Sequence, residues 1–215
     1  MKKIYLAGSG GMLGEAFYNV FQKDFEILAS DINPIDQWLH ELDFRNFDNY
    51  RKDILQFKPD YLCHLGAITS LEECDLNIDL AYSTNTLAVE NATIIANELD
   101  IPIVYISTAG IFDGNKDLYD DWDSPNPLGH YARSKYHGEM YVENNANRYL
   151  ILRAGWMMGG GPKKDKKFIN KIYKQIQDNK KIINVVDDKL GTPTYTMDFA
   201  MNTKLLLEKE LWGKY

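Results

Sequence analysis

The sequence predicts an α/β fold: a doubly wound parallel sheet with helices on both faces. Three observations point there. Short apolar runs of β character alternate with amphipathic stretches of helical length, as strands and crossover helices do around a parallel sheet. A glycine-rich turn, Gly8-Ser9-Gly10-Gly11-Met12-Leu13-Gly14, directly follows the first apolar run and opens the first helix. An acid, Asp31, closes the second run, 23 residues beyond Gly8. Together these describe a Rossmann-type sheet.

In chain order, strands are expected at Lys3–Ala7, Glu26–Ser30, Tyr61–Leu65, Ile103–Ser107, Tyr149–Arg153 and Ile182–Val186. Most of these runs are continuously apolar rather than alternating, which marks strands covered on both faces. Helices are expected at Met12–Gln22, Asp48–Phe57, Asp79–Leu99, Tyr131–Asn145, Lys167–Asn179 and Thr196–Lys209. Gly110–Gly129, rich in Asp, Asn, Gly and Pro, and Gly159–Lys166, reading GGGPKKDK, are the expected loops. The chain has no internal repeat and no low-complexity linker. Residues 1–155 are expected to form the Rossmann-type domain, and residues 156–215 a partial second region interleaved with the last sheet elements.

Composition narrows the function. The 215 residues carry 24 Lys and Arg against 31 Asp and Glu, a net charge of −7, and are 45% hydrophobic. A chain of this length buries about 70% of its unfolded surface, so its core needs no disulfide or structural metal. The negative balance and the lack of a long basic stripe argue against nucleic-acid or anionic-membrane binding. Cys63 and Cys74 form no disulfide framework and no zinc-like cluster, which suits a reducing compartment. The apolar run after Met1-Lys2-Lys3 breaks at Gly8, too early for a signal peptide. No apolar stretch approaches the roughly 20 residues of a membrane span. A cytoplasmic protein without a bound metal is expected.

The glycine turn has the chemistry of a dinucleotide loop. Gly8, Gly11 and Gly14 allow a tight turn, close approach of backbone to a pyrophosphate, and close packing of helix on strand, with Met12 and Leu13 opening the helix whose N-terminus faces the phosphates. Asp31 can hold both adenosine ribose hydroxyls and repels a 2′-phosphate, which favours NAD(H) over NADP(H). Asp43, in Leu42-Asp43-Phe44-Arg45, reads either as an adenine-side contact or as a helix N-cap. Neither glycine cluster leads into the Gly-Lys-Ser/Thr ending of a P-loop, so phosphoryl transfer is excluded.

Tyr131-Ala132-Arg133-Ser134-Lys135 sets a tyrosine and a lysine four apart on one helix face. With 14 Tyr in the chain such a pair carries little weight by itself. Its position gives it meaning: it lies one helix after a strand that ends in Ser107-Thr108, behind the turn Pro125-Asn126-Pro127-Leu128-Gly129. In order along the chain, GSGGMLG, IVYISTAGIFDG, PNPLGHYARSK, LILRAGWMMG and GTPTYTMDFA resemble the extended short-chain dehydrogenase/reductase family, most closely its sugar-nucleotide branch, typified by dTDP-4-dehydrorhamnose reductase.

The resemblance implies catalytic roles for Thr108, Tyr131 and Lys135. Tyr131 would give its proton to the carbonyl being reduced, Thr108 would hydrogen-bond the substrate oxygen, and Lys135 would bond the nicotinamide ribose. A lysine ammonium about 4 Å from a phenolate, at an effective dielectric of about 20, contributes roughly 4 kcal/mol, an upper limit of about three pKa units. Such a lysine is expected to bring Tyr131 down from its usual value near 10. By the same resemblance, Leu65, Gly66 and Ala67 would line the cofactor through their backbone, Thr69 just after them is a candidate on the substrate side, and Trp156 matches a position near the sugar or nicotinamide. Trp156 beside Met157 and Met158 reads equally as core packing.

Sugar 4,6-dehydratases of the family carry carboxylates just after the threonine, where this chain has Ala109 and Gly110, so dehydration is not expected. The rhamnose-pathway reductases usually read Ser-Thr-Asp-Tyr there, a departure that leaves the sugar open. The expected activity is reduction of a keto group on a nucleotide-activated sugar. The alternatives are an NAD-dependent nucleotide-sugar epimerase and a non-catalytic cofactor-binding subunit, since the regulatory subunit of methionine adenosyltransferase resembles the same branch. Members of the family commonly form homodimers through helices, and a homodimer is an expected assembly.

The remaining candidates read as structural. Lys163, Lys164, Lys166 and Lys167 are expected to form a solvated face rather than hold a nucleotide diphosphate. His64 is expected as a packed strand residue, Cys63 as a buried strand thiol, and Asp120, Asp121 and Asp123 as a solvated acidic loop. Relatives continue past Thr196–Lys209 into a further strand and the rest of a sugar-binding lobe. Gly213-Lys214-Tyr215 reads as the start of that strand, and the substrate lobe is expected to be incomplete.

Overall fold

A computed structural model describes residues 1–120, 122–185, 187 and 189–215. The strands are β1 (Lys2–Ala7), β2 (Phe25–Asp31), β3 (Leu39–Glu41), β4 (Tyr61–His64), β5 (Ile103–Thr108), β6 (Tyr149–Ala154), β7 (Trp156–Met158), β8 (Pro193–Tyr195) and β9 (Gly213–Lys214). The α-helices are α1 (Met12–Phe21), α2 (Phe47–Phe57), α3 (Leu71–Leu76), α4 (Ile78–Tyr82), α5 (Ala88–Glu98), α6 (Gly129–Asn145), α7 (Gly161–Lys164), α8 (Phe168–Gln177) and α9 (Thr196–Glu208).

Seven strands form one parallel sheet in the order β3-β2-β1-β4-β5-β6-β9. The order runs outward from β1 in both directions, so the crevice where a doubly wound sheet binds ligands lies beyond the C-terminal ends of β1 and β4. Successive side chains point to opposite faces. Ile4 and Leu6 join Phe17, Phe21, Val104, Ile106, Ala200 and Leu207 on one side. Tyr5 and Ala7 join Tyr50, Ile54, Leu62, Val89, Ile95 and Val142 on the other. Both sides are buried, which is why the strands read as unbroken apolar runs.

Three expectations change. The helix read over Asp79–Leu99 is three pieces: α4, a π-helical turn at Ser83–Leu87, and α5. The wide turn aims Asn85 inward, where its side chain accepts from Ile68 N (2.9 Å) and donates to Ile68 O (3.0 Å) and Ser134 Oγ (3.1 Å), tying the loop after β4 to α6. The strand read at Ile182–Val186 is absent over residues 182–185, and Val186 lies outside the described residues. Ile182 is 74% exposed, so β propensity there found no sheet edge to pair with. The short elements β3, α3, α7, β7 and β8 were not anticipated; β7 and β8 form a separate two-stranded sheet. The strand expected at Gly213 is β9, which extends the main sheet beside β6. Among the described residues no helix is long and apolar enough to cross a membrane.

Candidate active site

The turn after β1 is built by backbone contact. Gly8 has φ +70°, and a Cβ there would lie 2.2 Å from the Gly66 Cα; one at Gly14 would lie 2.2 Å from the Ser9 carbonyl oxygen. These two glycines are needed for the fold itself. Gly11 differs: it is the N-cap residue of α1 with φ −84°, no side chain caps the helix, and a Cβ there would meet nothing within 4 Å. The first turn of α1, with Met12 half-buried and Leu13 buried, thus carries N–H groups that no side chain caps. Leu65 N and Gly66 N both donate to Ala7 O, at 2.9 and 3.1 Å, which brings the Leu65–Ala67 stretch alongside. An uncapped helix N-terminus over a glycine floor fits a pyrophosphate, so these residues suit a dinucleotide.

Asp31 ends β2 at the rim of this floor. Its carboxylate accepts from Gly10 N at 2.7 Å and Asn33 N at 2.9 Å, which orients it beside the turn. Asp43 is no N-cap, since Asn46 caps α2 through Asn49 N. Its carboxylate instead takes the Arg45 guanidinium at 2.7 Å, and that pairing lowers its pKa. Phe44 between them packs edge-on against His64, with ring centroids 4.8 Å apart.

Thr108 ends β5, and Tyr131 and Lys135 lie one turn apart on α6 beside that strand: the Tyr131 hydroxyl is a hydrogen-bond partner of Thr108, while the Lys135 amine lies over Tyr105. Thr108 Oγ1 accepts from Gly110 N at 3.1 Å, which leaves its own hydrogen free to donate. Burial raises the Tyr131 pKa, and the Thr108 hydroxyl, as a hydrogen-bond partner, works the other way. Lys135 is 3% exposed, stands 4.3 Å above the Tyr105 ring, and is brought down to about 7 by its burial. The expected depression of Tyr131 by Lys135 is therefore overturned. Desolvation dominates at both groups, and the ammonium is directed at the Tyr105 ring.

Behind Lys135 lies a buried network that the sequence reading missed. Glu139, fully buried, accepts from Ser107 Oγ at 2.5 Å and from Arg153 at 2.6 Å, and Tyr105 donates its hydroxyl to Lys135 O at 2.9 Å. Glu139 follows Lys135 by four residues, so the helical spacing was the available signal. Asp113 was also missed. It accepts from Tyr119 (2.5 Å), Asn126 (3.0 Å) and Asn115 N (3.0 Å), organising the loop between Thr108 and Tyr131, and these bonds lower its pKa.

The other candidates disperse. Thr69 is exposed and holds Lys167 Nζ at 3.0 Å. Trp156, 43% exposed, is not core; it leans on Phe168 at 6.1 Å. The lysine loop is not simply solvated, because Lys164 is buried against Asp36. His64 is buried and held down to about 3 by desolvation, then by Lys135. Cys63 is buried, which raises its thiol pKa. Asp123 pairs with Lys116, while Asp121 lies outside the described residues. Among the described residues no group of three or more His, Cys, Asp or Glu is placed to hold a metal. A cavity of about 460 Å³ lies at the sheet edge near His40, Asn49 and Asp53, away from Tyr131.

The family model described as "RmlD substrate binding domain" matches residues 1–215. The chain belongs to that family. As an RmlD-type chain it is an NAD(P)-dependent oxidoreductase of the extended short-chain dehydrogenase/reductase type. It is 30% identical over 217 residues to the dTDP-4-dehydrorhamnose reductase of Aggregatibacter actinomycetemcomitans, covering 100% of this chain and 70% of the relative. It is 25% identical to the methionine adenosyltransferase 2 subunit beta of Danio rerio, covering 98% and 65%. The dTDP-4-dehydrorhamnose reductase of Bacillus anthracis, solved in complex with NADP, superposes with a TM-score of 0.89 at 28% identity, covering 100% of this chain and 74% of that one.

Proposed function

We propose that this chain reduces a keto group on a nucleotide-activated sugar, with Thr108, Tyr131 and Lys135 as its catalytic residues. The observation that carries the reading is that Tyr131 on α6 faces Thr108 at the C-terminal end of β5, the sheet end that also holds the uncapped N-terminus of α1, with Lys135 one helical turn on over Tyr105. When bound, the nicotinamide dinucleotide supplies the hydride. Tyr131, its pKa raised by burial, keeps its proton at neutral pH and is set to donate it to a developing alkoxide. Thr108, anchored by Gly110 N, directs its hydrogen to the same oxygen. Lys135, poised near 7 over Tyr105, holds a donor for the cofactor ribose. Gly8, Gly11, Met12, Leu13 and Gly14 form the pyrophosphate floor, and Leu65, Gly66 and Ala67 its neighbouring wall.

Asp31 supports NAD(H) as the preferred cofactor, since a carboxylate beside Gly10 repels a 2′-phosphate. Thr69 and Trp156 are assigned to the substrate side, and residues 156–215 to a substrate region interleaved with the sheet. Incubating nucleotide keto-sugars with NADH and, separately, NADPH tests the reading. Net oxidation of the nicotinamide is expected, faster with NADH; interconversion of sugars without net oxidation would make the chain an epimerase instead.

A further inference from the structure

The lysine loop does something the sequence did not suggest. Gly160 (φ +68°) lies so close to Met12 that a Cβ on it would come within 2.8 Å of the Met12 Cβ, which puts the loop against the first turn of α1. From there Lys164 reaches the segment after β2. Its Nζ lies 2.5 Å from Asp36 Oδ2 and 3.9 Å from Glu15 Oε1, and 5.4 Å above the Trp38 ring, which itself stacks on Tyr18 of α1. Lys167 reaches the segment after β4, at Thr69 Oγ1. One short stretch, Gly159–Lys167, is therefore anchored on both sides of the floor formed by Gly8–Gly14.

We propose that Gly159–Lys167 is a strap across the dinucleotide cradle, and that the Lys164–Asp36 ion pair is the latch setting how fast a nicotinamide dinucleotide leaves. The proposal rests on reading the cradle as a dinucleotide site. The Lys164 side chain is only 6% exposed against 31% for Asp36, so the lysine charge has exchanged most of its water for this carboxylate. Lifting the strap breaks the latch and carries Lys164 into water, which makes opening the slow step for a ligand beneath it. The three consecutive glycines Gly159–Gly161, all at positive φ, give the strap a hinge at the end where it leaves β7.

The test is release of prebound NADH, followed by its fluorescence after mixing with excess NAD, for the unchanged chain, Lys164→Met, Asp36→Asn and the double variant. Lys164→Met removes the charge and keeps an unbranched side chain beside Trp38, so it should melt with the unchanged chain; Asp36→Asn leaves the Lys164 charge short of its partner, so its release is measured well below its own melting temperature. Each single variant is expected to speed release roughly tenfold, the loss of about one charged hydrogen bond, and the double variant no more than either. Release from Asp36→Asn at the unchanged rate, or effects that multiply in the double variant, would overturn the latch. If the unchanged chain binds neither NADH nor NADPH, the cradle reading falls and the latch with it; binding with unaltered release removes the latch alone.

Discussion

The two parts of the molecule treat apolar side chains in opposite ways. In the sheet and its flanking helices they are consumed: Ile4, Tyr5, Leu62, Ile103 and Tyr105 are fully buried between layers. In the arm from Trp156 to Tyr195 they are displayed: Phe168, Ile169, Tyr173 and Ile176 on α8, then Ile182, Val185 and Leu190, are all exposed. An amphipathic helix with an uncovered apolar face adds little to stability, because its burial term is missing. The sheet thus holds the fold and the candidate chemistry, while the arm contributes the strap and a surface.

The largest effect expected on the chemistry is at Tyr131. Tyr131→Phe should lower turnover by about 10²–10⁴-fold, in steady-state assays, while leaving NADH affinity unchanged. Retained turnover would mean that the proton comes from elsewhere. On stability, Ile54→Ala in the sheet's core should cost about 2–5 kcal/mol in denaturant unfolding. Ile176→Ser on α8 should cost under about 0.5 kcal/mol. Equal losses would erase the distinction between the two parts.

A smaller effect concerns charge inside the sheet region. The folded pKa of Lys135 is depressed to about 7, so between pH 7 and about 10.5 the unfolded chain binds the extra proton and stability rises with pH. Lys135→Met should therefore raise the melting temperature most at pH 7 and below, with the gain closing towards pH 10.5. His64, held down to about 3, adds a second limb of the same sign between about pH 3 and 6.5. His64→Gln should flatten that acid limb, and an unchanged pH profile in both variants would refute these assignments.

This contrast also explains what could be read in advance. Continuous runs such as Ile103-Val104-Tyr105-Ile106 announce strands covered on both faces, and the glycine turn carries its own context of strand before and helix after. Edge strand β3, with His40 and Glu41, has too little apolar pattern to stand out, and the three-residue strands β7 and β8 are defined only by each other. Ile182–Val185 has strand composition but no neighbouring edge. At the site, Thr108, Tyr131 and Lys135 were legible because order and spacing bring them together. The Glu139–Arg153 pair and the Lys164–Asp36 latch were not, since they join residues 14 and 128 apart in sequence through the tertiary fold. The sense of the Tyr131 shift was misread because spacing records that Lys135 is near but not how deeply both groups are buried.

The central claim is that the open N-terminus of α1 is a dinucleotide cradle, and Gly11 isolates it. A side chain there meets open space at an ordinary φ, unlike Gly8 or Gly14, so Gly11→Val should fold as the unchanged chain does. Calorimetric titration with NADH should give one site on the unchanged chain and none on Gly11→Val at equal melting temperature. No binding by the unchanged chain, or equal binding by both, would contradict the account.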